Sequence, residues 1–474
     1  MRQPSPHLRR RRALVPALCL WLLPFIAACG VATVDPTPSA APPTRTPVVA
    51  ATPTPDTELL RDGGVVIIQR AYDRLLDEYI EPLDSSRILD GAWTLLTQRA
   101  AEESLDVPEK PGFTDDRAAD FELFRTAYAS IAAGSADPTQ LRYAAMRGMT
   151  EALQDCHTYF LTPVASDTLI DQREGNGVIG IGVDLAGVPP LVTEVIMAGP
   201  ADRAGVRVGD RIVAIDGTDV SDRGPAGAFE LINGDENTSV TMTIERQDEP
   251  APIDVTVTRE RVNPPNIETN IVEGTIGYLR VRNFVDGGIA APLRQTLDAF
   301  ETQGLTSWII DLRGNPGGRL DTDAISLFVP EGVIVRDRNR AGEIHEDLAT
   351  GLALTTIRPT VLLANNRTGS VAEVFAAALQ EYGVAYVVGA NTNGCVGYTD
   401  VRELGDGSSL AVTTNVNLGP VSGQELAGIG VAPDELVGRT ADDVAALLDP
   451  QLDAAVAHLH AVVDTTTDTA PESP

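Results

Sequence analysis

Lysine is almost missing from this chain: Lys110 is the only one in 474 residues. Basic residues are scarce altogether, 36 Lys+Arg against 67 Asp+Glu, a formal net charge of -31. A nucleic-acid binder needs a basic face, so that class is excluded, and an anionic membrane surface is as poor a partner. Only four cysteines and five histidines are present, with no C-x-x-C or H-x-x-x-H spacing, which argues against a structural zinc site. No metal and no cofactor is therefore expected. What remains, 43% apolar and 22% charged residues, is the composition of a globular chain long enough for two or three domains.

The ends read as targeting and tether. Arg9 to Arg12 precede an apolar run, Ala13 to Ala28, which is short for a membrane span and has the layout of a secretory signal. Ile26-Ala27-Ala28-Cys29 resembles a bacterial lipoprotein box, implying cleavage after residue 28 and lipidation of Cys29. An uncleaved N-terminal anchor is the alternative. Either way the chain is expected to be exported and held at the outer face of the bacterial cell membrane. Residues 29–57 are rich in Pro, Thr, Ala and Ser, the composition of an extended linker, and 464–474 is expected to be a disordered tail.

Between them lie three pieces. Residues 58–165 read as helical, with Val65, Ile68, Tyr72, Leu75 and Tyr79 forming one apolar stripe and Met146, Met149 and Leu153 another, both taken as core. Residues 175–262 hold short β-branched runs separated by Gly, Asp and Asn turns, a small β-module. Its Gly175-Asn176-Gly177-Val178-Ile179-Gly180 matches G-x-G-x-x-G, but a dinucleotide site needs a strand before the motif and a helix opening within it. Here Ile181 to Leu185 continues as a strand. Residues 263–448 alternate strands and helices: Trp308–Leu312 and Val361–Ala364 are buried strands, and Val371–Gln380 a helix. Ser370 stands at the turn into that helix, where a serine is displayed and the helix N-terminus favours developing negative charge. A serine there is also an ordinary N-cap, and Glu373 three residues on completes a capping box.

Two resemblances sharpen this. Gly180-Ile181-Gly182-Val183, Ala198-Gly199-Pro200-Ala201 and Ala204 to Ile212 resemble a PDZ domain. That likeness implies a peptide C-terminus held before the Gly180–Val183 strand and added to the sheet edge; a plain spacer is the alternative. Asp311–Gly318 (DLRGNPGG), Gly369 to Glu373 and Gly430-Val431-Ala432-Pro433-Asp434 follow in order, and the chain resembles the C-terminal processing and tricorn-like serine peptidases. The implied fold is α+β multidomain: a helical N-terminal part, an inserted PDZ module and a crotonase-like ββα core.

The resemblance implies Ser370 as nucleophile and the amide of Val371 with that of Gly317 or Gly318 as oxyanion hole. It also exposes a departure. Where processing peptidases carry a lysine in T-x-G-K, this chain reads Thr392-Asn393-Gly394-Cys395, and Lys110 lies in the Pro-containing loop of the helical piece. The tricorn-like branch uses a histidine in D-x-H, matched by Asp155-Cys156-His157, so His157 is the implied base, although lysine-type relatives also carry a histidine there without using it. Glu425 is the first choice for its orienting acid, with Asp434 and Glu373 as others. The expected activity is endopeptidase cleavage of unfolded or C-terminally exposed proteins. A catalytically inactive, C-terminus-binding scaffold is the alternative, motivated by the missing lysine and by Ala432 in place of a common glutamate. With Cys19 in the signal and Cys29 lipidated, the resemblance places Cys156 and Cys395 in one cleft, where they form a disulfide or Cys395 stays a free thiol. Oligomeric state and physiological substrate are not legible.

Overall fold

A computed structural model describes residues 60–166, 178–262, 264–284 and 288–468, all within one unit spanning 53–474. The signal, Cys29, the linker and residues 175–177 of the glycine motif lie outside the described residues. No described helix is long and apolar enough to cross a membrane.

Four helices open the described chain: Val65–Glu78, Ser85–Glu102, Arg117–Ala132 and Pro138–Glu151. The stripe of the first is buried at Val65, Ile68, Tyr72 and Leu75, and Met146 and Met149 are fully buried, so both apolar patterns are core. The second and fourth helices meet backbone to backbone. A Cβ on Gly91 would stand 2.3 Å from the Gly148 carbonyl oxygen, and one on Gly148 would stand 2.2 Å from that of Gly91. Only glycine at both positions permits this crossing.

The helices do not close a core alone. Their cluster takes in Leu404, Leu410 and Val412, which come from the far end of the sequence. Those residues belong to a five-stranded antiparallel sheet in the order Tyr159–Leu161, Ser409–Leu418, Val333–Asn339, Ile344–Leu348, with Tyr398–Glu403 also on Ser409–Leu418. Arginines stitch the seam. Arg74 donates to the Leu410 and Asp400 carbonyls, and Arg142 meets Asp406 at 2.9 Å with both side chains 3% exposed.

The second sheet of this region runs Ile267–Val272, Ile276–Val281, Ser307–Asp311, Thr360–Ala364, Ala385–Gly389, Glu435–Leu436, parallel from the second strand onward. Both its faces are covered. Ile310, Leu362 and Val387 pack under the helices Ala290–Thr302 and Val371–Glu381, while Ile309, Val361, Leu363 and Val388 pack against Ala455 and Leu459 of Pro450–Asp468. Two-sided burial explains the unbroken apolar runs of the central strands. That last helix corrects the expected tail, because residues 464–468 continue it.

The β-module carries the strands Val183–Ala186, Leu191–Val195, Arg211–Ile215, Ser239–Glu245 and Ile253–Thr258 in sheet order, with the helices Pro200–Ala204 and Pro225–Ile232. A two-stranded neck, Val178–Gly180 with Glu260–Val262, joins it to the rest. The expected continuous strand through Gly180–Val183 is broken instead. Gly182 takes φ +74, the Ile181 carbonyl accepts from Ala201 N–H, and a new strand starts at Val183. No helix opens at Gly180, as a dinucleotide site would need. Arg280 (2.6 Å) and Arg282 reach Glu194, and Arg367 reaches Asp184, tying the module to the parallel-sheet region.

The buried Arg142–Asp406 pair gives a test of the seam. Asp406→Ala strands a buried guanidinium and should lower unfolding free energy by roughly 3–5 kcal/mol in urea titrations. Replacing both partners with apolar residues should lower it far less. Equal losses in the two variants would deny the pair this role.

Candidate active site

Ser370 ends the turn between the strand Thr360–Ala364 and the helix Val371–Glu381. Its backbone sits at φ 55°, ψ −125°, a sparsely populated conformation for a side-chain-bearing residue and unlike the extended geometry of an ordinary N-cap. The surroundings hold it there. Ser370 N–H lies 2.7 Å from the Cys395 carbonyl and 2.9 Å from Glu373 Oε2, and Glu373 N–H donates back to the Ser370 carbonyl. The capping relation legible in the sequence thus forms, on a strained residue.

Glu373 is fully buried and serves more than the serine. Its Oε1 accepts from Gly394 N–H at 2.7 Å and from the Thr392 hydroxyl. Burial pushes its carboxyl above the ordinary range, while these donors pull it back down. One carboxylate therefore fixes both the serine and the Thr392–Cys395 segment.

The DLRGNPGG turn closes on the same place. Asn315, fully buried, donates to the Val281 carbonyl and accepts Gly317 N–H at 2.9 Å, and its own carbonyl takes Gly369 N–H. A Cβ on Gly317 (φ +93) would stand 2.5 Å from Ser370 Cβ and 2.8 Å from Val371 N, so a hydrogen is all that fits there. Gly317 N–H is committed to Asn315. Among the described residues, the Gly318 and Val371 amides donate to no protein acceptor. Asp311 of the same motif is structural: buried, it accepts from Tyr278 and Arg313, and Arg313 reaches on to Asp449 beside the last helix.

His157 enters from the opposite side, in the turn between Pro138–Glu151 and Tyr159–Leu161. Asp155 shapes that turn, taking His157 N–H at 3.0 Å and the hydroxyls of Thr158 and Thr413 at 2.6 Å each. Cys156 and Cys395 are joined as a disulfide with Cα atoms 5.9 Å apart, inside the span such a bond requires. The imidazole lies on it, Nδ1 being 3.5 Å from Cys156 Sγ and 3.3 Å from Cys395 Sγ. Burial lowers the His157 pKa below the usual histidine value, and the Asp155 charge offsets this only in part. Cys395 stands between the imidazole and the serine, touching one with its sulfur and the other with its carbonyl.

Some expected partners are not brought together. Neither imidazole nitrogen hydrogen-bonds Ser370 or a carboxylate among the described residues. Glu425, the first choice as orienting acid, instead pairs with Arg338 at 3.3 Å on the antiparallel sheet, and Asp434 accepts Val387 N–H. Arg338 lies between two carboxylates, Glu81 at 2.9 Å and Glu425 at 3.3 Å, and its fixed charge holds Glu425 where a neutral imidazole offers none. Lys110 pairs with Asp90 on the helices, which removes it from the site. The other described histidines are engaged elsewhere: His345 with Asp337, His458 stacked on Tyr386, His460 with Glu273. Asn315 and the anchoring role of Glu373 were not foreseen, although both residues lay inside motifs already singled out.

A strained serine at a strand-to-helix turn, with two unpartnered amides beside it, has the parts of a serine hydrolase. The chain is a serine peptidase, and comparison with known proteins places it. The peptidase family S41 profile matches residues 275–437 and a PDZ domain profile matches 191–246. The carboxy-terminal-processing protease of Bartonella bacilliformis is 32% identical over 326 residues, covering 67% of this chain and 73% of that one. The carboxyl-terminal-processing protease of Synechocystis sp. is 31% identical over 318 residues, covering 65% and 74%. Among solved structures, the photosystem II D1 C-terminal processing protease superposes with a TM-score of 0.52 at 24% identity, over 79% of this chain and 93% of that one, a likeness of fold. The chain belongs to peptidase family S41, as a PDZ-containing, C-terminal processing member.

Gly317→Ala probes the closest contact in the site. The added methyl must push the turn away from Ser370 and Val371, and kcat on an unfolded protein substrate should fall by about 10²–10³-fold, the range for losing one oxyanion donor. A wild-type kcat would mean that this contact has no part in the chemistry.

Proposed function

We propose that this peptidase is an exported, lipid-anchored endopeptidase that cuts unfolded or C-terminally exposed proteins with Ser370 as nucleophile and His157 as base. The strained backbone of Ser370 carries the reading, since nothing in a helix cap calls for φ 55°. Val371 and Gly318 N–H groups serve as the oxyanion hole of a crotonase-like core, Gly317 being occupied by Asn315. They favour the tetrahedral intermediate by donating to a charge that exists only along the reaction path.

His157 lies against Cys395, whose carbonyl holds the Ser370 amide, and burial favours its neutral form, which can accept a proton. The disulfide fixes the backbone on both sides of the imidazole, doing for the ring what an orienting carboxylate does elsewhere. Its ring must still move to come within hydrogen-bond reach of Ser370 Oγ, a contact that commonly tightens only once substrate is bound. Peptide C-termini are taken up by the PDZ module in a groove of about 220 Å³ bordered by Gly180, Ile181, Gly182, Val183, Phe229 and Ile232, alongside the edge strand Val183–Ala186. Export and anchoring rest on Arg9–Arg12, the apolar run and Cys29. The inactive-scaffold alternative is not favoured, because the nucleophile turn and its two amides are intact.

Ser370→Ala should abolish casein cleavage, and His157→Ala should reduce it by about 10²–10⁴-fold. Undiminished turnover by the serine variant would sink the proposal. The pH profile separates the base from others. Because the histidine pKa is lowered from 6.5, the neutral form persists into mild acid, so kcat/KM should hold on acidification and fall only below pH 6.5. An activity that appears only on the alkaline side of neutrality would point to another base.

A further inference from the structure

The sequence has no metal-ligand spacing, yet the fold assembles a ligand set from residues far apart. Cys156 Sγ, Cys395 Sγ and one nitrogen of His157 all lie within 4.8 Å of one another. We propose that, once the disulfide is reduced, these three side chains bind a divalent cation of borderline softness, zinc above all, with the fourth position of the tetrahedron left to solvent.

The distances favour this. A tetrahedral zinc with bonds of about 2.3 Å to sulfur and 2.0 Å to nitrogen needs sulfur–nitrogen edges of roughly 3.5 Å. The two Sγ–Nδ1 edges are 3.5 and 3.3 Å already. Only the sulfur–sulfur edge has to open, and reduction breaks that bond. Both ligand segments are held from behind: Asp155 clamps the turn carrying Cys156 and His157, and Glu373 clamps Gly394 next to Cys395. Such support lets ligands keep their places when the covalent link is gone. Cys156 is exposed on an open groove of about 540 Å³ beside Arg147, Gln154 and Tyr159, so reductant and ion can reach it.

The step balances. A dithiol delivers two electrons and two protons to the S–S bond and closes to its own cyclic disulfide. Zinc then displaces both thiol protons to solvent, two per ion bound, and two thiolates with a neutral imidazole cancel its charge. A neutral imidazole has one free lone pair. With Nδ1 on the metal, Nε2 carries the hydrogen and cannot accept another. The metal-bound form is therefore unable to use His157 as base, a consequence that rests on the function proposed above, whereas the site itself does not.

The test reads metal without substrate, so a wrong base assignment leaves it untouched. The parent is the full chain carrying Cys19→Ser and Cys29→Ser, which restricts thiolate signals to Cys156 and Cys395. After reduction and anaerobic desalting, titration with cobalt(II) should develop thiolate charge-transfer and tetrahedral d–d absorption saturating at one ion per chain. Zinc should bleach both bands, with two protons released per zinc bound. The oxidised parent should develop neither. His157→Ala, which keeps both thiols, should alter the d–d bands and weaken binding by at least about tenfold. Cys395→Ser should lose most of the charge-transfer intensity. Absence of the bands in the reduced parent, equal bands in the oxidised one, or an unchanged titration in His157→Ala would each overturn the proposal.

Discussion

Everything at the catalytic end of this molecule hangs on one buried carboxylate. Glu373 accepts from the amide of a strained serine, from the Thr392 hydroxyl and from the amide of Gly394. A buried anion is tolerated only when donors surround it, and these donors belong to the segments that must be placed. The same contacts that stabilise the charge therefore fix Ser370 and the loop bearing Cys395. On the other side of the serine, Asn315 does the equivalent for the glycine turn with neutral groups. The site is built from satisfied polar groups, and among the described residues the Gly318 and Val371 amides are left without a protein acceptor.

Around this centre, rigidity comes from two-sided packing. The central strands are apolar on both faces and fix the height of the two turns, because the parallel register aligns the ends of Ser307–Asp311 and Thr360–Ala364. The β-module contributes charge at its boundary. Glu194 lies between Arg280 and Arg282, and Asp184 meets Arg367 one turn from Ser370. These three arginines of a strongly acidic protein sit where two parts of the chain meet.

How much could be read in advance follows from what each residue answers to. The central strands and the nucleophile helix were legible within a residue, because burial on both faces or on a helical stripe leaves an apolar signature. The strand expected through Gly180–Val183 was broken by the positive φ of Gly182, which sequence marks only as a glycine. The antiparallel sheet was not individually foreseen: Ser409–Leu418 mixes Thr and Asn into its run, and its partners lie far off in sequence. Ser370 was legible as a motif, and the Cys156–Cys395 contact only through the fold that resemblance implied. Glu425 pairs with Arg338 and not with the imidazole, because carboxylate pairing is decided in space. What sequence could not convey was that the imidazole would face sulfur where a carboxylate was expected.

The seam between the N-terminal helices and the antiparallel sheet also sets when the helices can complete their core. The histidine turn is positioned by Thr413, the first strand pairs with Ser409–Leu418, and Arg142 waits for a partner 264 residues later. During synthesis from the N-terminus, the helices emerge with an apolar face that Leu404, Leu410 and Val412 later cover. Contacts this distant in sequence form late and slowly. The imidazole of His157 thus waits 238 residues for Cys395, and Asp155 waits 258 residues for Thr413. Until Leu404, Leu410 and Val412 have been made, the helical cluster lacks part of its own core.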